Sequence, residues 1–421
     1  MKFLIICLIF LSATIEAKLK IEISQGSKDL AKIAIVPFND GKKTNIALSD
    51  LIEKNLTLFG EFKATPKNEM LSFPSSEDNF FYRDWNILKI DYAVIGNLEE
   101  KNNSEFYIEY FVFNVPLKKL ILRGDITGDI NELSQISKVI SNRTYKAITG
   151  LEGIFNTKLA YILNPQKEIY KICVSDIDGS NEQILFESTA PLMSPSWSSD
   201  NKKLAYVSFE KGYPEIYMQD LFSGKRESIK TLGLSNSAPV WSPDNKKLAF
   251  VMSMSGNPDI YIYDLRNKKI SRHTTHYGID TEPSWSPNSK KLLFTSNRSG
   301  SPQIYELTIS SNRIKRITLD GDYNARASYF PNGKDIVLVH GNNGIFHIGT
   351  KKIRSRFINT ISKTTLDESP TISPNGNIII YATKNNSQGY LAGLTLDGKS
   401  KFTLPTKFGS VREPAWSPLM N

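Results

Sequence analysis

One element returns at a fixed distance through the second half of this chain. Trp197, Trp241, Trp285, Tyr329, Ile372 and Trp416 occupy equivalent places, in steps of 44, 44, 44, 43 and 44 residues. The best-formed copy reads Pro239-Val240-Trp241-Ser242-Pro243-Asp244-Asn245-Lys246-Lys247-Leu248-Ala249-Phe250. Around Trp241 the unit has four strand-like runs, at residues 239–242, 247–252, 259–265 and 270–275. Turn residues such as Pro243-Asp244-Asn245 and Gly256-Asn257-Pro258 separate them. A unit this short cannot bury both of its faces alone. Packed radially, such units form a β-propeller with one blade per repeat.

The ends of the chain set the blade count. The copy at Trp416 stops after Pro418 and has a first strand only. Lys158-Leu159-Ala160-Tyr161-Ile162 matches the second strand Lys203-Leu204-Ala205-Tyr206-Val207 but lacks a first strand of its own. Pairing residues 414–418 with 158–162 completes a sixth blade and leaves no open edge. The tryptophans read as packing between blades, and Asp or Asn at 200, 244, 288, 332 and 375 as turn formers.

The 421 residues exceed one ordinary domain. Residues 1–17 read as a secretory signal, with Lys2 ahead of a nine-residue apolar run and Ala17 at the cleavage point. That run is too short to span a bilayer, so the mature chain is expected to be exported and soluble. Residues 18–155 alternate strand and helix patterns, so a mixed sheet with helices on one side precedes the propeller of residues 156–421. The expected helices lie at 45–59, 84–89 and 131–149, and the expected strands at 32–38, 91–96, 105–112 and 120–126. Residues 18–26 alternate charged and apolar side chains, as an exposed edge strand would. Such a strand can lie on its own sheet or pair with the edge of another protein. The fold class is therefore α+β followed by an all-β six-bladed propeller.

The formal charge of +9 does not by itself point to nucleic acid. The pairs Lys202-Lys203, Lys246-Lys247 and Lys290-Lys291 recur at the repeat period, so they mark turns. No Gly-x-Ser-x-Gly elbow and no phosphate-binding glycine loop is present. His273 and His276 fall on an outer strand and point to opposite faces. Cys173 is the one cysteine left after signal removal, which excludes an internal disulfide. These observations give no catalytic, cofactor or metal residue and a chain that is not an enzyme. A hydrolase or lactonase on the same scaffold, or a peptidoglycan-binding module, are the alternatives.

Candidate contacts lie just before each repeat's proline, where the chain crosses toward the channel mouth. The crossing triplets are Leu192-Met193-Ser194, Asn236-Ser237-Ala238, Asp280-Thr281-Glu282, Asn324-Ala325-Arg326, Asp367-Glu368-Ser369 and Val411-Arg412-Glu413. Their side chains vary while the frame does not, as a protein-binding funnel would. The residues singled out are Met193, Ser194, Ser237, Ala238, Thr281, Glu282, Ala325, Arg326, Asp367, Glu368, Arg412 and Glu413.

The chain resembles the periplasmic TolB family of the Tol-Pal envelope system along nearly its full length. The resemblance rests on the N-terminal strand, Ile33-Ala34-Ile35-Val36-Pro37-Phe38, Asp91-Tyr92-Ala93-Val94-Ile95-Gly96 and the six repeats. Leu192-Met193-Ser194-Pro195, Asp280-Thr281-Glu282-Pro283, Leu366-Asp367-Glu368-Ser369-Pro370 and Pro414-Ala415-Trp416-Ser417-Pro418 add to it. The resemblance implies a non-enzymatic adaptor that supports outer-membrane integrity and constriction at division. Its funnel would bind the peptidoglycan-associated lipoprotein Pal. Its N-terminal segment, Lys18, Leu19, Lys20, Ile21, Glu22, Ile23 and Ser24, would bind TolA, with Pal occupancy altering its availability. Other Tol-Pal components are further implied partners. Contact with the membrane would run through these proteins, and nucleic acid is not a partner.

Overall fold

The computed structural model describes residues 19, 21–25, 30–38, 47–102, 105–231, 235–254, 256–385, 388–404, 406 and 409–420. The expected signal segment, Lys18 and Lys20 lie outside them. Strand β1 spans Glu22–Gln25. Strands β2 (Ala31–Ile35), β3 (Phe62–Ala64), β4 (Tyr92–Glu100), β5 (Glu105–Asn114) and β6 (Lys119–Asp129) form one sheet in the order β3-β2-β4-β5-β6. β2 runs parallel to β3 and β4, while β4, β5 and β6 are antiparallel, so the sheet is mixed.

Alternation along β2 divides its side chains between two cores. Ile33 and Ile35 face helices α1 (Leu48–Thr57) and α3 (Leu133–Thr149), which come later in the chain and bury Ile52, Leu56 and Ile140. Ala34 and Val36 face the other way, against Trp85 of helix α2 (Tyr82–Ile87) and Phe80. Helices therefore cover both faces, not one as the sequence pattern suggested. The short α2 is too brief to show a periodic apolar stripe, which hid its packing. Gly150 takes a left-handed conformation with φ 76° and ends α3 by donating to Lys146 O.

Six antiparallel four-stranded blades follow among the described residues. Blade one runs Leu192–Trp197, Lys203–Ser208, Glu215–Asp220 and Arg226–Ser228. The next four begin at Ser235–Trp241, Asp280–Trp285, Tyr323–Tyr329 and Glu368–Ile372. Blade six joins the chain ends: Ser410–Trp416 pairs with Lys158–Asn164, with Trp416 opposite Leu159 and Ser410 opposite Asn164. The first strands contact one another around the axis. Trp197, Trp241, Trp285 and Trp416 are buried between blades. Trp285 Nε1 also donates to Val240 O of the preceding blade at 3.1 Å, and Trp197 Nε1 to Ala415 O at 2.9 Å.

The two parts share a core. Phe59 of the N-terminal part lies 5.4 Å from Phe402 and 6.2 Å from Trp416, ring centre to ring centre. Ser400 Oγ donates to Phe59 O, and Asn375 Nδ2 donates to Glu152 O. Lys138 bonds Asp176 at 2.7 Å, with both side chains buried. All these propeller residues lie in or beside turns joining strands one to two or three to four of blades five and six. Those turns share one end of an antiparallel blade, so the N-terminal part covers one face of the ring at two blades.

Glu61 sits in this junction. Its Oε1 accepts from Tyr145 OH at 2.9 Å and from Asn377 Nδ2 at 2.6 Å. Burial pushes its carboxyl up from 4.5 to about 7, and Asp397 adds to the rise against the two hydrogen bonds. The folded chain thus binds more protons here than the unfolded chain between those values. The stability from this group is fully present below pH 4.5 and is lost as pH rises through 7. Glu61→Gln is expected to flatten that part of the stability curve, by on the order of 2–3 kcal/mol across the window. Denaturant unfolding at pH 5 and pH 8 checks it; equal slopes for both proteins would contradict it.

Candidate functional site: a ring of left-handed residues

Each first strand breaks its register at the same point. The shifts fall between Met193 and Ser196, Ser237 and Val240, Thr281 and Ser284, Ala325 and Ser328, Glu368 and Thr371, and Arg412 and Ala415. Within each bulge one residue is left-handed: Ser194, Ala238, Glu282, Arg326, Ser369 and Glu413, with φ from 48° to 54°. None is glycine, although a side chain in this region costs about 1 kcal/mol or more. Six such residues at one level of one channel form a built ring. The bulge turns each of these side chains into the axis.

The ring lines a channel of about 580 Å³ that continues along the first strands to the turn prolines Pro243, Pro287 and Pro331. It has a charged arc and a small-residue arc. Glu282 Oε1 takes Arg326 Nε at 2.7 Å, and its Oε2 accepts from Arg326 N at 3.0 Å and Thr295 Oγ1 at 2.8 Å. Arg326 Nη1 reaches Ser369 Oγ in the next blade. Glu413 Oε2 accepts from Ser194 N at 2.5 Å. Both ring glutamates therefore satisfy a backbone N–H that the neighbouring bulge frees. Burial acts to lower the Arg326 pKa, but Glu282, Glu413 and Glu368 outweigh it and hold the guanidinium above its ordinary value. Ser194 and Ala238 leave the ring open over blades one and two.

The twelve funnel residues singled out in the sequence separate into groups. Ser194, Ala238, Glu282, Arg326 and Glu413 line the channel. Met193, Ser237, Thr281, Glu368 and Arg412 are half-buried one residue earlier, and Ala325 is buried there. Asp367 falls one place further back and is buried, accepting from Ser362 Oγ. Its equivalents include Asp280, which pairs with Arg298 at 2.6 Å, and Asn324, which bonds Gln303 at 3.0 Å. These polar groups anchor the crossing segments. The residue missing from the set is Ser369, the sixth ring member. It closes its crossing triplet directly before Pro370, whereas the residues singled out there are the two ahead of it. His273 and His276 lie just past their outer strand, which ends at Arg272, and not on it.

The N-terminal segment is docked on the propeller. β1 pairs antiparallel with Lys401–Leu404, Glu22 opposite Thr403 and Ile23 opposite Phe402, as a fifth strand on blade five. Leu19 is buried, and its carbonyl oxygen would lie 2.0 Å from a Cβ placed on Gly179. Glu22, Ile23 and Ser24 remain exposed.

A profile described as the TolB beta propeller domain matches residues 145–420, and one for the TolB amino-terminal domain matches residues 19–121. The Tol-Pal system protein TolB of Marinomonas sp. is 52% identical over 98% of this chain and 96% of its own length. The chain belongs to the TolB family. The TolB of Hahella chejuensis is 50% identical, with 98% of each chain covered. The crystal structure of TolB from Acinetobacter baumannii gives a TM-score of 0.88 at 36% identity, covering 96% of this chain and 100% of that one. A TolB-family chain is a Tol-Pal system component on a propeller scaffold, not a hydrolase. Among the described residues no helix is long and apolar enough to cross a membrane.

Proposed function

We propose that this protein is a periplasmic adaptor of the Tol-Pal system that binds Pal at the ring face of the propeller and TolA through residues 18–24. The observation that carries this reading is the ring itself. Six residues hold a costly backbone conformation at one level of the channel, and strain of this kind collects where a partner is recognised. The crossing segments that feed it lie on the face away from the N-terminal part, so that face is open to a folded domain.

The N-terminal segment suits a second partner by strand addition. It is short and holds blade five by one edge, and among the described residues no strand pairs with its outer edge. A partner's sheet edge could take its place beside the segment once the segment leaves Lys401–Leu404. Pal binding that loosens blade five would favour that exchange.

Deleting residues 19–24 is expected to abolish TolA binding and leave Pal binding intact. Purified mature and shortened proteins, each immobilised and challenged with both partners, decide it. Equal TolA retention by the shortened protein would refute the segment assignment. Loss of both partners by a chain that still melts cooperatively would refute the separation of the two sites.

A further inference from the structure

The lysine pairs that punctuate the repeats gather on a single face. Turns between strands one and two, and between three and four, lie at the same end of each blade. In blades one to four these turns, with one strand residue on their far side, are 200–203, 220–226, 244–247, 264–269, 288–291, 308–313, 332–335 and 352–359. They hold sixteen Lys or Arg against five Asp or Glu, an excess of 11 that is larger than the +9 of the entire chain. Among the described residues the N-terminal part covers the same face only at blades five and six, and none of them covers this basic arc.

Four of the acids on this face are folded into their own turns. Asp220 Oδ1 accepts from Ser223 N at 2.8 Å and Phe222 N at 3.1 Å; Asp264 Oδ1 accepts from Arg266 N at 3.0 Å and Asn267 N at 3.1 Å. Asp200 and Asp244 accept from Ser198 and Ser242 hydroxyls at 2.6 Å. The cations Lys202, Lys246, Lys290, Arg266, Arg354 and Arg356 are exposed. The hydrogen bonds hold the Asp200, Asp220 and Asp264 carboxylates ionised but tied to their own turns, and the field at this face is positive by the excess of cations.

Two aromatic side chains stand out of the same surface. Phe222 in blade one is 83% exposed and Phe357 in blade four is 78% exposed, both between strands three and four. Neither side chain closes its turn: Asp220, Ser223 and left-handed Gly224 close the first, and in the second Ser355 accepts from the Phe357 backbone N–H. Basic residues flank both, Lys225 near the one and Arg356 beside the other. Single phenylalanines at the two ends of a broad basic arc lack the contiguous apolar centre of a protein interface. They also lack the aromatic-lined groove on which nucleic acid stacks. A broad surface of cations with isolated apolar points matches the interface of an anionic bilayer.

We propose that the basic face of blades one to four docks directly on an anionic lipid bilayer, with Phe222 and Phe357 entering the headgroup region. This contact is separate from any made through protein partners, and it lies at the opposite end of the channel from the ring.

Flotation of the purified mature chain with phosphatidylcholine vesicles, with and without about 30% phosphatidylglycerol, tests it. The anionic vesicles are expected to hold about tenfold more protein, an excess lost near 0.5 M salt. Lys202→Glu with Lys246→Glu and Lys290→Glu should abolish the excess. Phe222→Ser with Phe357→Ser should reduce it several-fold, with the melting temperature unchanged in both variants. Equal binding to the two vesicle types would overturn the proposal. Phosphatidylglycerol-dependent binding that ignores the phenylalanine change would be adsorption to any polyanion, and would also overturn it. No other protein is present, so failure here leaves the ring reading standing.

Discussion

Arginine at both Thr281 and Glu282 is expected to abolish Pal capture from envelope extract, a loss on the order of a hundredfold in affinity. Thr281 is half-buried at the start of the ring segment in blade three, where a long cation would stand in the path of a docking domain. Glu282 is different in kind. Its carboxylate holds Arg326 through both Nε and the backbone N–H. Its replacement also leaves two guanidinium groups facing one another across the blades, so the ring itself would open. Thr281→Arg alone separates these effects because Thr281 makes no such bond. The single change is expected to weaken capture about tenfold or more with the melting curve unchanged. Full capture by a folded double variant would remove the ring face from the binding site.

Asp280→Ala is expected to destabilise the propeller by about 3–5 kcal/mol, the loss typical of stranding one partner of a buried ion pair. Asp280 is fully buried and its Oδ2 takes Arg298 Nη2 at 2.6 Å; Arg298 also donates from Nε to Ser296 Oγ at 2.9 Å. Its guanidinium lies about 5 Å from the rings of Phe294 and Tyr305. Without the carboxylate a cation is left beside these rings with one weak partner. A fall in the unfolding midpoint of roughly 2–4 °C per kcal/mol should be read in a thermal scan. Asp280→Asn, which keeps an acceptor in place, should fall less. A shift under about 1 kcal/mol for Asp280→Ala would show that the ion pair does not hold the crossing segment.

The architecture was legible because repetition displays it. The 43- to 44-residue step of one position, Trp in four copies and Tyr329 or Ile372 in the others, located every blade, and the lone first strand at Trp416 located the closure. Local patterns also gave the longer elements of the N-terminal sheet. What escaped the sequence depends on contacts between distant residues. Nothing in Ser194, Glu282 or Arg326 as residue types announces a left-handed backbone, since glycine is the usual sign of one. The pairing of Glu22 with Thr403 joins two short edge segments across most of the chain, and an alternating pattern names no partner. β3 is three residues long and too brief to show a period. The lysine pairs were read correctly as turn residues, but blade topology had to put those turns at one end before their charge had meaning.

A photo-crosslinking residue at Ser237 and another at Lys202 test the account most directly, because they sit at opposite ends of blades two and one. Ser237 is beside the ring, and Lys202 is in the turn between strands one and two. Irradiation of cells carrying either variant is expected to give a Pal adduct from Ser237 and none from Lys202. A Pal adduct from Lys202 with none from Ser237 would contradict it.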